Sequence, residues 1–192
     1  MKKLFLLYVC FYTNTILSAG FIAGTLINTP VGLIPIEQVK AGDSVFALGV
    51  DGCYYTKPVA FVSKKQESQL IKLIIDGEVI LTTPEQCFLK GPEQIWTPGA
   101  NLQSGDKVLA CSGYLTIRTI ESFCELVDVY RLCIIDLGNF YVSKHEILVQ
   151  DFNFLRGRIF PPKKPIGYVL LEKSGEYAVY GGGVVLGVYL LL

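Results

Sequence analysis

Residues 20–46 read GFIAGTLINTPVGLIPIEQVKAGDSVF, and much of the chain echoes this segment. Short apolar runs alternate with Gly, Pro, Asn and Asp, which is strand-and-turn chemistry with little helical periodicity. The pattern returns further on. Leu26–Ala47 contains LINTP and then VKAGDSVFA, and Ile80–Ala110 contains ILTTP and then LQSGDKVLA. The two Gly-Asp pairs, Gly42-Asp43 and Gly105-Asp106, stand 63 residues apart. In each, Gly permits a left-handed turn residue, Asp can bond the turn backbone, and an alternating strand follows. Two copies are too few for a solenoid, so the repeat predicts two β-hairpin units paired about a pseudo-two-fold axis. Asp51-Gly52 and Asp76-Gly77 each predict a tight turn between strands. Val129–Ile135 and Phe140–Val142 read as a hairpin, with Glu146–Val149 as a closing strand. One helical turn is expected around 36–39 and another around 99–103. The fold class expected is all-β.

Phe21, Gly24-Thr25, the strand into Thr29-Pro30, Gly32, Pro35-Ile36 and Gly42-Asp43 before Val45 together resemble the opening of a Hint domain. This is the fold shared by inteins and the autoprocessing half of hedgehog proteins. The stretch FYVSKH at 140–145 resembles the C-terminal part of bacterial toxin-associated Hint domains. Such a resemblance implies a domain over residues 20–151 that can cut or splice its own chain. It also implies four reactive parts in one pocket. A first-residue Cys or Ser attacks the preceding peptide bond. A Thr-x-x-His segment polarises that bond and protonates its leaving nitrogen. A penultimate His assists cyclisation of a terminal Asn.

On this chain those positions hold different chemistry. Gly20 stands at the nucleophile and has no reactive group. Ser18 lies two residues upstream, roughly 7 Å along an extended chain, too far to replace it. The Thr-x-x-His segment reads Thr83-Pro84-Glu85-Gln86: Thr83 persists, whereas Gln86 can donate hydrogen bonds but cannot carry a proton near neutrality. Gln150 replaces the assisting His and Asp151 the terminal Asn. His145 is the chain's single histidine, on an expected turn, and is the one remaining neutral-pH acid or base. Cys87 is expected to serve packing. The expectation is a domain that keeps its scaffold without its chemistry and acts as a scaffold or binding module. The alternative is self-cleavage at Asp151-Phe152 assisted by Thr83, Gln86 and His145. A third reading is a small all-β binding domain outside this family.

Composition sets the remaining bounds. The chain has 192 residues, 51% hydrophobic and 18% charged, enough for one domain with a core. Lys+Arg and Asp+Glu both number 17, so no basic field invites nucleic acid. Residues 1–19, MKKLFLLYVCFYTNTILSA, have the charged, apolar and small-residue regions of a secretory signal cleaved after Ala19. Secretion or cell-envelope association is therefore expected. Residues 152–192 form a Pro- and Lys-marked connector and an apolar tail. Tyr177–Leu192 is uncharged and offers a contact for a protein partner or a membrane. Past Cys10, the cysteines at 53, 87, 111, 124 and 133 are odd in number and lack CxxC spacing. They suggest no metal site, and no cofactor is expected.

Overall fold

The computed structural model describes residues 19–150. The expected leader up to Ser18, Asp151, and the connector and tail over 152–192 lie outside the described residues. Twelve strands form: β1 (Phe21–Ile22), β2 (Leu26–Thr29), β3 (Gly32–Pro35), β4 (Ser44–Leu48), β5 (Tyr54–Ile75), β6 (Glu78–Thr82), β7 (Cys87–Gly91), β8 (Ile95–Pro98), β9 (Lys107–Ala110), β10 (Gly113–Ile134), β11 (Asn139–Val142) and β12 (Ile147–Gln150). One-turn 3-10 helices at Ile36–Gln38 and Gly99–Asn101 meet the two helical expectations. The sheet order is β3-β2-β11-β12-β7-β9-β10-β1-β6-β5-β4, with β8 paired to β7 and β10 also paired to β5.

Side-chain alternation splits the apolar runs between two clusters. Phe88, Val108, Phe140, Val142, Ile147 and Val149 face the main core. Their neighbours Leu89, Leu109, Tyr141 and Leu148 face a second cluster with Leu48, which Phe46 and Trp96 partly cover. Strands covered on both faces need apolar residues at every position, which is why these segments read as continuous runs.

The Gly-Asp repeat is structural. Lys40 N–H donates to Asp43 Oδ2 at 2.8 Å, and Gln103 N–H to Asp106 Oδ2 at 2.9 Å. Gly42 and Gly105 both have φ of 93°. Their N–H groups donate to the carbonyls of Val59 and Ile117 at 2.9 and 2.8 Å. The long strands β5 and β10 pair antiparallel, Val59 with Ile134 and Ile117 with Ile75, so each unit's first residue meets the other's end. That is the register of a two-fold pair.

Two expectations need correction. LINTP is not the counterpart of ILTTP. Ile36 N–H donates to Thr25 O and Gly99 N–H to Gln86 O, both at 2.8 Å, so β2 corresponds to β7 rather than β6. Each Thr-Pro begins a turn because proline fixes φ and lacks a ladder donor, and the two turns are unrelated. The expected hairpin between 129–135 and 140–142 is also absent. Residues 129–134 stay in β10 against β5, while Phe140 pairs with Val149 of β12. Asp136 and Gly138 turn the chain at φ of 70° and 61°. The Asn139 side chain then bonds both Leu48 N–H and Leu48 O, at 2.8 and 3.0 Å, and β11 starts between β12 and β2. Asp76-Gly77 does form its two-residue turn, with both φ positive and Ile75 opposite Glu78.

The repeat supplies an internal control for turn energetics. Asp106 also pairs with Lys90 Nζ at 2.7 Å. Desolvation works against its carboxylate, but Lys90 and the Gln103 N–H outweigh it and hold the pKa below the ordinary value. Asp43→Ala should cost about 1 kcal/mol through the lost turn bond. Asp106→Ala should cost that plus roughly 0.2–1 kcal/mol for the ion pair. A depressed carboxylate stabilises above its unfolded pKa, so the Asp106 contribution should fade as pH falls below about 4. Urea midpoints of both variants at pH 7 and pH 3 measure this. Equal losses at pH 7 would refute a role for Lys90.

Candidate functional site

β1 contributes only Phe21 and Ile22, yet Phe21 is fully buried and sits between Thr82 of β6 and Tyr130 of β10. Its ring meets Phe88 and Phe140 edge to face, with centroids at 6.4 and 6.3 Å. This anchor fixes the preceding residue. The Gly20 carbonyl accepts hydrogen bonds from Thr82 Oγ1 at 2.6 Å and Thr83 N–H at 3.1 Å. Both donors grip the downstream side of the Ala19–Gly20 bond. They orient that bond rather than polarise its own carbonyl, which belongs to Ala19.

Thr83 to Gln86 is a turn, not a strand, closed by Gln86 N–H donating to Thr83 O at 3.2 Å. Glu85 is half-buried in it. The turn points Gln86 inward, where Nε2 donates to the Gln150 carbonyl at 2.8 Å and the Cys87 carbonyl at 3.3 Å. Gln86 is 2% exposed. Ala19, Gly20, Gln86, Arg131, Phe140 and Gln150 line one cleft whose interior is too small for a water molecule. Thr83 Oγ1 and Gln150 Nε2 are buried without a hydrogen-bond partner among the described residues. Arg131 Nη2 pairs with Glu67 Oε1 at 2.7 Å, and Lys65 Nζ reaches the same oxygen at 2.9 Å.

The profile of the pretoxin Hint domain matches residues 26–151 of the chain. The chain belongs to the Hint family. A bacterial intein-like domain from Clostridium thermocellum, solved in solution, is 32% identical with a TM-score of 0.67. The alignment covers 70% of this chain and 99% of that one. A DnaB intein from Synechocystis is 17% identical with a TM-score of 0.61, over 70% of this chain and 99% of that one, a likeness in fold. No curated protein matches the chain.

Within this Hint domain, Gly20, Thr83, Gln86 and Gln150 come together as the resemblance implies. His145 does not join them. It sits in the turn between β11 and β12, five residues from Gln150, or ~16 Å along an extended strand. Its side chain is 38% exposed, with Nε2 3.8 Å from Glu78 Oε2. Asp151 lies outside the described residues. Cys87 is buried, which pushes its thiol up to about 11, so it holds no thiolate near neutrality. Cys53, Cys87, Cys111 and Cys124 are free thiols, and no cluster of metal ligands occurs among the described residues.

Sequence reasoning missed Thr82, whose hydroxyl holds the Gly20 carbonyl. The signal was present: in β6 Ile80 and Thr82 share a buried face while Leu81 is half-buried, so Thr82 points inward. Arg131 was also missed. Its partner Glu67 lies 64 residues away, a pairing that no local pattern displays.

Proposed function

We propose that this Hint domain no longer processes its own chain and serves as a scaffold that holds its flanking segments in place. The observation that carries this reading is the packing at residue 20. A Cβ there would lie 2.6 Å from Val129 Cγ1, 2.7 Å from the Tyr130 carbonyl oxygen and 2.9 Å from Arg131 Cγ. Such contacts leave no space for the side chain of a nucleophile. The position of the proton-transferring His is held by Gln86, which is occupied as a bond to the Gln150 carbonyl. A neutral amide there fastens chain to chain and moves no proton. The leader-like composition of residues 1–19 and the apolar tail support a location at the cell envelope or outside the cell, with a protein partner or membrane contacted through the tail.

One contact favours the alternative. Gln86 holds the carbonyl next to Asp151, a placement that would suit cleavage at Asp151-Phe152. An ionised carboxylate is a poor substitute for an amide nitrogen in ring closure, so such a cut would be slow.

The test is the intact mass of the full chain between two inert tags, followed over days with and without thiol. Unchanged mass is expected. Loss of the C-terminal tag at Asp151, abolished by Asp151→Ala, would establish the alternative. Loss of the N-terminal tag at Gly20 in purified protein would end both readings.

A further inference from the structure

The turn between β11 and β12 is fastened at both ends by backbone bonds. Ser143 N–H donates to Leu26 O at 2.8 Å, and Cys111 N–H donates to Glu146 O at 3.0 Å. Ser143 and Glu146 have φ of 72° and 52°, so the chain bends sharply at each. Lys144 and His145, between them, meet a strand that neither β11 nor β12 pairs with. Lys144 N–H donates to Glu78 Oε1 at 3.4 Å, and His145 Nε2 lies 3.8 Å from Glu78 Oε2. Glu78 is the first residue of β6, directly after the Asp76-Gly77 turn.

Glu78 Oε2 is buried and accepts no hydrogen bond among the described residues. An unbonded buried oxygen is costly, and more so when the carboxylate is ionised. The imidazole lies beyond hydrogen-bond reach, but its side chain is 38% exposed and free to move the further ~1 Å towards Oε2. The other ionisable groups on or against this turn are Lys144, Glu146, Cys111, Tyr54 and Tyr141, with Asp76 beside Glu78. Burial raises Tyr141 to about 12, and burial together with Cys111 raises Tyr54. The Tyr54 hydroxyl favours a Cys111 thiolate, but Glu146 and desolvation outweigh it and raise that thiol. Amines and carboxylates ordinarily titrate outside the range from about pH 5 to pH 8. Histidine is the side chain that ordinarily changes charge within it, and His145 is the chain's single one.

We propose that His145 and Glu78 form a proton-operated strap, in which the protonated imidazole closes Nε2–H onto Glu78 Oε2 and ties the β11–β12 hairpin to the start of β6. A charge-assisted bond is roughly twice as strong as a neutral one, so the strap is tightest when the imidazole is charged. That charge gains its partner only in the folded chain. The strap therefore adds stability at acid pH and loses it as pH rises through the imidazole range. The hairpin it holds ends at Gln150, whose carbonyl Gln86 binds, so acid pH secures the strand that carries the chain to the candidate site. The device stands whether or not the chain cuts itself.

The test is urea melting of the full chain at about pH 8 and about pH 5.5, where carboxylates are ordinarily ionised and imidazole ordinarily protonated. Wild type, His145→Gln, Glu78→Gln and the double variant are compared. On acidification the folded-to-unfolded ratio of the wild type should gain about 3-fold over that of His145→Gln. In the Glu78→Gln background the same replacement should make no difference. Hydrogen exchange gives a second readout that needs no change at Glu78. The protection factor of the Lys144 amide, which shares the Glu78 carboxylate, should rise on acidification in the wild type and not in His145→Gln. Equal pH dependence in wild type and His145→Gln, or a gain that survives Glu78→Gln, would overturn the strap. Self-cleavage seen by intact mass would overturn the scaffold reading and leave the strap standing.

Discussion

Gly20→Cys should destabilise the domain and leave it uncleaved, even though it returns a thiol to the nucleophile position. Rotamer changes in Val129 and Arg131 can relieve two of the contacts that a new Cβ makes. The third is the Tyr130 carbonyl oxygen at 2.7 Å, which is backbone. Tyr130 pairs with Lys64 of β5 on one side and Phe21 of β1 on the other, so β10 can yield only by disturbing two ladders. Overpacking of this kind costs about 1–3 kcal/mol. Gly20→Ala should lose a similar amount without the thiol, which separates the steric effect from the chemical one. Adding Gln86→His to Gly20→Cys supplies a titratable ring but removes the bond to the Gln150 carbonyl at 2.8 Å, so cleavage should still be absent. Urea melts and intact mass read both effects. Cleavage before residue 20 in a Gly20→Cys protein of undiminished stability would show that the site is open to a side chain after all.

Phe21→Ala should be the most damaging single substitution at the site, costing roughly 3–5 kcal/mol. The ring is fully buried and meets Phe88 and Phe140 edge to face, contacts that contribute beyond area alone. β1 is two residues long and has no other large buried side chain, so its position depends on this ring. Without it, the Gly20 carbonyl should drift from Thr82 and Thr83. Hydrogen exchange at the Thr83 amide should then accelerate well beyond the change expected from global stability. Val31→Ala is the matched control: that residue is 85% exposed and should change stability by no more than about 0.5 kcal/mol. A Phe21→Ala protein with wild-type Thr83 protection would mean that something other than this ring seats β1.

The elements legible in the sequence are those that local chemistry determines. Asp76-Gly77 specifies its turn because both residues tolerate positive φ, and the Gly-Asp repeat closes its own hydrogen bonds within four residues. The strand runs, the two 3-10 turns and the likeness to a Hint domain follow from such short-range patterns. Thr83, Gln86 and Gln150 were readable as a group only through that likeness, since no spacing rule links positions 64 residues apart.

The sequence by itself determined an all-β chain with two related halves, and its likeness to a Hint domain singled out Gly20, Gln86 and Gln150 as departures from that pattern. Tertiary structure alone decided which strands correspond, because the residues entering β2 and β7, Thr25 and Gln86, accept equivalent bonds from Ile36 N–H and Gly99 N–H. The turn that holds His145 was legible, but tertiary structure alone set that turn at the end of the β11–β12 hairpin away from Gln150, and it alone made Thr82 a holder of the Gly20 carbonyl. The closure around Gly20 likewise comes from β10, more than 100 residues along the chain. The physical reason is common to these cases. A turn is selected by the torsional limits of two or three residues, whereas a site is assembled by strand register across the whole sheet, and register is set by burial that no single segment carries.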